Sequence, residues 1–346
     1  MIRAKVIGAT GYGGLGIIEG LLRHPEATIT SLVARQDDTR RIDEFYPHLR
    51  GFCDLRVQVA GTEVDTEQPD VVFFATPNGV GMHDARAYLE AGVKVIDYSG
   101  DFRFPDAEVY RQWYGKEHAD PELLSEAVYG LPELYRDKLA GARLVANVGC
   151  FAVGAILALA PALKLGLVEP GGIIVDGKTA VSGAGKAAKP SFHFPHRNEN
   201  VEAYRIVEHQ HTPEIEHYLS DQAGEAVTLT FVAHLVPTSR GILDTCYARL
   251  AKPITADEAR AAYREFYAGS PFVRVSDDGT CHGTGVVLGS NFMDLAVNVN
   301  QRTGQLIVTA AEDNLVKGQA GSALQNMNVL FGLDESLGLK HWGLYP

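Results

Sequence analysis

Short unbroken apolar runs alternate with stretches of helical spacing through the first third of the chain. AKVIG (4–8) is strand-sized and apolar. GLGIIEGLLRHP (14–25) repeats its apolar residues at helical intervals and stops on a proline. TITSLVA (28–34) and VVFFAT (71–76) predict a second and a third strand. HDARAYLEAG (83–92) predicts a helix ending on Gly92, and KVIDYSG (94–100) a further strand. Strands alternating with helices predict a parallel, doubly wound sheet.

The pattern changes in the middle of the chain. GGIIVDGKTAV (171–181), AVTLTFVAHLVP (226–237) and GILDTCYARLA (241–251) are strand-like and come close together. PITADEARAAYREFY (253–267) is one amphipathic helix, and MDLAVNVNQRTGQLIVTAA (293–311) reads as two strands around a polar turn. This predicts an α+β domain with an antiparallel-rich sheet. DNLVKGQAGSALQNMNVLFG (313–332) turns helical again and is expected to return to the first domain. The expected division is 1–149 with 314–346, and 150–313. A length of 346 residues and 46% hydrophobic content support two such cores.

Charge narrows the partners. The formal net charge is -12, which repels phosphate backbones and anionic lipid. No nucleic-acid or membrane partner is expected, and a small-molecule substrate is. The longest apolar stretch, 151–163, is too short to span a bilayer and suits a buried helix. The chain begins directly on a strand-like run, with no secretion signal expected. Four widely spaced cysteines, with no C-x-x-C pair, point to a reducing cytoplasmic setting.

Two glycine-rich segments carry nucleotide signatures. GATGYGG (8–14) lies between a predicted strand and a predicted helix, with Gly8, Gly11, Gly13 and Gly14 and with Thr10 where the common dinucleotide fingerprint has glycine. Small residues there let backbone approach a pyrophosphate at a helix N-terminus. The second strand ends on Arg35, a cation suited to a 2′-phosphate and hence to NADP(H), although Asp37 and Asp38 follow. GIIVDGKT (172–179) matches a P-loop by letter. Its Ile-Ile-Val favours a strand and no helical pattern follows, so a strand and turn is the better reading.

Cys150 follows the strand-like ARLVANVG (142–149) and precedes the helix-like FAVGAILALA (151–160). A helix N-terminus favours a thiolate, and its amides can hold an oxyanion. Cys150 reads equally as a nucleophile or as an inert buried thiol. A thiolate wants a base, and His193, His196, His209, His211 and His217 cluster further on. Thr212-Pro213-Glu214 predicts a helix start with a threonine cap and proline at its first position. His209 and His211 lack a second ligand pair, so no metal is expected.

In order and spacing these segments resemble the N-acetyl-γ-glutamyl-phosphate reductases, relatives of the aspartate-semialdehyde dehydrogenases. The resemblance is carried by GATGYGG (8–14), DYSGDFR (97–103), YGLPELYR (129–136), ANVGCF (146–151), VSGAGK (181–186), NENVEAY (198–204), HQHTPEIE (209–216) and DNLVKGQAG (313–321). Departures are Val148, Val153, Lys186 and Gln210, where the family usually has proline, threonine, arginine and arginine.

The resemblance implies a Rossmann-type NADP-binding domain and a second α+β domain of the glyceraldehyde-3-phosphate-dehydrogenase type. It implies NADPH-dependent reduction of an acyl phosphate through a thioester on Cys150, with His209 as acid/base and His211 next. Arg103, Ser99, Gly183 and Tyr204 would bind substrate. Gly8, Thr10, Gly11, Tyr12, Gly13, Arg35, Pro77, Ser182, Gly183 and Asn314 would bind the cofactor. A homodimer or homotetramer is implied. The alternatives are an aminoadipyl or glutamyl phosphate carried on an acidic protein, an aspartyl phosphate, and a non-catalytic NADP sensor.

Overall fold

The computed structural model describes residues 1–35, 39–61 and 68–345; Asp37 and Asp38 lie outside the described residues. The chain divides into two units. Unit 1 is Met1–Val148 with Gln319–Lys340, and unit 2 is Gly149–Gly318 with His341–Pro346.

Unit 1 holds strands β1 (Ile2–Ile7), β2 (Ala27–Ala34), β3 (Val57–Val59), β4 (Val71–Phe74), β5 (Lys94–Asp97), β6 (Val128–Gly130) and β7 (Leu144–Asn147). Its helices are α1 (Tyr12–Arg23), α2 (Ile42–Phe45), α3 (Gly81–Glu90), α4 (Ala107–Tyr114) and α5 (Pro132–Leu139). The sheet order is β3-β2-β1-β4-β5-β7-β6, and every neighbouring pair is parallel. Strands covered on both faces need no polar alternation, which is why VVFF of β4 is fully buried. The strand order reverses beside β1. This opens the crevice at the carboxyl ends where doubly wound sheets take ligands.

Unit 2 holds β8 (Ile173–Thr179), β9 (Glu202–Tyr204), β10 (Leu229–Leu235), β11 (Ile242–Arg249), β12 (Val273–Val275), β13 (Met293–Asn300) and β14 (Gln305–Glu312). Helices α6 (Cys150–Lys164), α7 (Phe194–Arg197), α8 (His211–Ala223) and α9 (Ala256–Phe266) accompany them. The order is β12-β13-β14-β11-β8-β10-β9. Only β12–β13 and β8–β10 are parallel pairs, so the sheet is mixed and antiparallel-rich. Of residues 172–179, Ile173–Thr179 form β8, followed by a 3₁₀ turn at Val181–Ala184, so the P-loop spelling has no P-loop structure.

Helix α6 is apolar all round, and residues 151–163 are buried throughout. It runs on through Pro161. Proline leaves the carbonyl four residues back without its donor. The Tyr267 hydroxyl donates to that carbonyl, on Leu157, at 2.7 Å, and the Tyr263 hydroxyl donates to Ala158 O at 2.7 Å. One face of α9 thus repairs α6.

The chain returns to unit 1 as α10 (Gly321–Leu330), whose ten residues are all buried. Its polar side chains are paired inside unit 1. Asn326 Nδ2 donates to Gly130 O (3.0 Å) and to Asn147 Oδ1 (2.9 Å), and Asn328 meets His24 at 2.9 Å. The handover differs from the expected residue 314, because Asp313 and Asn314 bond within unit 2, to Gly289 N (2.7 Å) and Gly241 N (2.8 Å). Residues 341–346 also differ: Leu344 N donates to Leu288 O (2.7 Å) in unit 2.

Two carboxyls lie in the core of unit 2. Asp244 is fully buried in space left by two glycines: a Cβ at Gly154 would sit 2.4 Å from its Oδ2, and one at Gly177 2.7 Å from its Oδ1. Glu312 lies diagonally across the β11–β14 register, where Asp244 faces Ala310 and Ile242 faces Glu312. Among the described residues neither carboxyl has a hydrogen-bond partner, and burial pushes both well above the usual carboxylate range. Burial thus favours the neutral acid at both positions.

A carboxyl raised in the fold leaves stability intact below the unfolded value of about 4 and removes it as pH rises toward the folded value. Each such proton contributes a slope of about 1.4 kcal/mol per pH unit. The unfolding midpoint of the wild type should fall as pH rises above about 5. The Asp244→Asn, Glu312→Gln double variant should flatten that slope. Equal slopes, measured by thermal denaturation across pH, would sink this account.

Candidate functional site

In unit 2, Cys150 is the first residue of α6 and Gly149 its N-cap. Val153 N donates to Gly149 O (3.0 Å), so the N–H groups of Cys150, Phe151 and Ala152 precede the helical ladder. Cys150 is partly exposed. Its Sγ lies 3.9 Å from His211 Nε2. His211 Nδ1 is 2.7 Å from Glu214 Oε2, and Glu214 Oε1 accepts from Gly149 N–H at 2.9 Å. Glu214 is fully buried and His211 nearly so. The arrangement is a thiol, an imidazole and an orienting carboxylate, which is the geometry of an activated nucleophile.

The imidazole at the sulfur is His211, where the motif match favoured His209. Helix α8 begins at His211, not after it, with Gln210 as N-cap and no side-chain cap. Pro213 is then its third residue, still within the turn that needs no intrahelical donor. His209 stays inside, edge-on to Phe151, Phe231 and Tyr204 at 5.7, 4.9 and 5.7 Å. Burial first, then His211 and Arg205, pushes its pKa down to about 2, so it stays neutral. Tyr204 is held above its ordinary value by burial and then by Cys150.

Gly318 packs on Cys150. A Cβ there would lie 3.1 Å from Cys150 Cβ. It belongs to a π-helical turn, Val316–Ala320. Asn314 Nδ2 donates to Ser182 Oγ (2.9 Å), and its Oδ1 takes Gly241 N–H. Asn314 thereby fixes the turn that presents Ser182 and the exposed Gly183. Among the described residues no group of three or more His, Cys, Asp or Glu could hold a metal ion.

In unit 1, Gly8 has a φ of 90°, and a Cβ on it would sit 2.3 Å from Ala75 O. A Cβ on Gly14 would sit 2.2 Å from Gly8 O. The loop is compressed so that the start of α1, capped by Gly11 without a side chain, lies open at the crevice beside β1. The Tyr46 hydroxyl braces it by donating to Thr10 O at 2.6 Å. Tyr12 is the first residue of α1, Gly13 is buried against Gln319, and exposed Arg35 follows β2. Exposed Pro77 follows β4, where Asn78 Oδ1 takes Gly100 N–H at 2.8 Å.

The segment 97–103 is a hydrogen-bonded scaffold. Both oxygens of Asp101 take Gly79 N–H (2.8 and 2.9 Å), and one also takes the Tyr110 hydroxyl (2.9 Å). Asp97 Oδ1 takes the Ser99 N–H at 2.8 Å and the Ser99 hydroxyl. Burial, then Asp101, raises Asp97 to about 7. Arg103 is buried, with Nε on Asn147 O (2.9 Å) and Nη2 on Tyr98 O (2.7 Å). Its guanidinium ties the ends of β5 and β7 through these two carbonyls.

A family model described as semialdehyde dehydrogenase, NAD binding domain, matches residues 3–142, and one described as semialdehyde dehydrogenase, dimerisation domain, matches 150–314. The N-acetyl-gamma-glutamyl-phosphate reductase of Symbiobacterium thermophilum is 47% identical over 350 residues, covering 100% of this chain and 99% of its own. That of Heliobacterium modesticaldum is 44% identical over 351 residues, with 100% of both chains covered. The chain belongs to the N-acetyl-γ-glutamyl-phosphate reductase family.

The fold of this family member is shared with solved aspartate semialdehyde dehydrogenases. The Vibrio cholerae enzyme II, complexed with ASA, superposes with TM-score 0.72 at 18% identity, over 96% of this chain and 98% of that one. The Candida albicans enzyme with NADP gives 0.70 at 16%, over 96% and 98%. Within the reductase family frame, Glu214, Tyr46, Asp101 and Gly318 are the residues that motif reading passed over. Glu214 had a signal, its three-residue spacing from His211 on one helix.

The glycine loop of this reductase family member yields a direct test. Gly8→Ala places a side chain at a left-handed φ and against a carbonyl. It should cost about 1–3 kcal/mol of stability and abolish dinucleotide binding. Thermal unfolding and NADPH fluorescence titration read the two effects, and unaltered binding would contradict the assigned loop.

Proposed function

We propose that this chain reduces N-acetyl-γ-glutamyl phosphate to N-acetylglutamate 5-semialdehyde and phosphate, with NADPH, in arginine biosynthesis. The supporting observation is the Cys150–His211–Glu214 relay at the start of α6.

The dinucleotide fits unit 1 on the glycine cradle. Gly8 and Gly14 leave no room for a side chain, and the open amides at the start of α1 suit a pyrophosphate. Thr10, Gly11, Tyr12 and Gly13 line that cradle, Pro77 flanks the crevice, and Arg35 suits a 2′-phosphate. In unit 2, Ser182, Gly183 and Asn314 are further proposed cofactor residues. When bound, NADPH supplies the hydride that reduces the acyl group.

Cys150 gives its proton to His211 Nε2, and the thiolate attacks the acyl-phosphate carbonyl carbon. The carbon–oxygen bond to phosphate breaks, phosphate leaves and a thioester remains on Cys150. The amides at the start of α6 are placed to hold the oxyanion of each tetrahedral species. After reduction the carbon–sulfur bond breaks, the aldehyde leaves, and the thiolate recovers its proton from His211. Glu214 fixes the imidazole with its proton on Nδ1 and stabilises the imidazolium between the two transfers. Arg103, Ser99, Gly183 and Tyr204 are the proposed substrate contacts, with Arg103 and Ser99 held by the scaffold of 97–103.

The assay runs in reverse, with NADP, phosphate and the semialdehyde, and follows NADPH absorbance. A phosphate-dependent rise is expected. Cys150→Ser should lose it, and Glu214→Gln should slow it on the order of 10²-fold or more. Turnover by Cys150→Ser would exclude the thioester route.

A homo-oligomer formed through unit 2 accompanies this reading. The outward face of its sheet carries a row of Thr230, Ile174, Tyr247 and Ile307 in register, with Ile174 44% exposed. Exposed β-surface of this kind suits a second copy. Light scattering should give at least twice the chain mass at all working concentrations; the monomer mass would refute it. Four free thiols fit a cytoplasmic site for the enzyme. Among the described residues no helix is long and apolar enough to cross a membrane.

A further inference from the structure

An acyl phosphate carries negative charge toward a thiolate and the Glu214 carboxylate, in a chain of formal net charge -12. A local cation has to offset this at the thiol. We infer that Arg205 is that cation, the residue that binds an anionic end of the substrate beside Cys150.

Arg205 follows β9 directly, next to Tyr204. The Tyr204 ring packs on His209 at 5.7 Å, His209 lies 5.0 Å from His211, and His211 reaches the Cys150 sulfur. Arg205 Nη1 donates to Oε1 of Gln210, the residue between the two histidines. The guanidinium is thus pinned at the start of α8, where the base sits. Its charge is felt there: it pulls Tyr204 down against burial and Cys150, and adds to burial and His211 in holding His209 neutral.

The backbone supports the same assignment. Arg205 has a φ of 47°, and Glu199 and Val207 have φ of 59° and 64°. Left-handed backbone at non-glycine residues is strain that the surrounding structure maintains, and such strain concentrates at ligand clamps. Arg205 is also exposed, and the Gln210 bond uses one of five guanidinium donors. The nearby Glu202 carboxylate is engaged by Arg197 at 3.2 Å. A planar fork of donors suits phosphate or carboxylate oxygens in pairs.

The inference rests on the proposed reaction for the identity of the anion, but its test does not need turnover. Native full-length protein is alkylated with iodoacetate, an anion, and with iodoacetamide, its neutral analogue. Peptide mass mapping follows Cys150, with exposed Cys281 as reference. The variants are Arg205→Asn, which tolerates left-handed backbone, Arg205→Gln as a second neutral form, and Arg205→Lys, which keeps the charge.

The iodoacetate-to-iodoacetamide rate ratio at Cys150 should fall about tenfold in the folded neutral variants and recover in part with lysine. Inorganic phosphate and N-acetylglutamate are added separately as protectants. Loss of protection by phosphate in the neutral variants assigns Arg205 to the phosphoryl end, and loss of protection by N-acetylglutamate assigns it to the carboxylate end. An unchanged ratio in a folded neutral variant overturns the inference. A fallen ratio in a protein whose wild type shows no phosphate-dependent turnover would uphold the anion subsite and reject the reductase reading.

Discussion

One carboxylate organises the chemistry of unit 2. Glu214 Oε1 takes the Gly149 N–H at the head of α6, and its Oε2 faces His211 Nδ1 at the head of α8. A fully buried carboxylate is costly unless its oxygens are satisfied by good donors. Here each oxygen has one, and the positive ends of two helices lie beside it. The same two bonds that make the burial tolerable also set the distance from His211 to Cys150. Removing the charge therefore disturbs the docking of two helix starts as well as the orientation of the base.

The route from sequence to this arrangement was open in part. The strand–glycine–helix order of 4–25 is legible because each piece obeys one local rule, and the burial of β1 and α1 follows it. Cys150 at a helix start is legible for the same reason. His209 and His211 were not separable, because both flank the same helix start and differ only in which neighbours close around them. Three-residue strands such as β3, β6, β9 and β12 carry no period to detect. They exist because a neighbouring strand offers its edge. Pro161 reads locally as a stop, and only the distant Tyr267 hydroxyl cancels that reading.

Two residues that motif reading assigned to ligands also hold backbone. Arg103 clamps two carbonyls, and Asn314 joins Ser182 to Gly241. Such buried polar groups stay only where their partners are fixed. They give the positions near them, Ser182, the exposed Gly183 and the turn at 77–79, one conformation. Asp101 does the same work with a carboxylate, converting the open amide of Gly79 into an anchor. Asp244 and Glu312 are the contrary case, acids that burial pushes toward the neutral form although Lys178 and Lys317 act against it.

The two histidines show how a local hydrogen bond decides a chemical role. His211 N–H donates to His209 Nδ1 at 3.2 Å, so that nitrogen is an acceptor and the His209 proton sits on Nε2. For His211 the order is reversed: Nδ1 faces a carboxylate and must donate, which leaves the Nε2 lone pair toward the sulfur. A base needs that lone pair, and afterwards it needs a counter-charge for the proton it has taken. His211 has both. His209 has aromatic walls and a neighbouring imidazole, which oppose a second positive charge. Two positions along the chain thus separate the imidazole that faces the sulfur from the one whose Nδ1 takes the first N–H of α8.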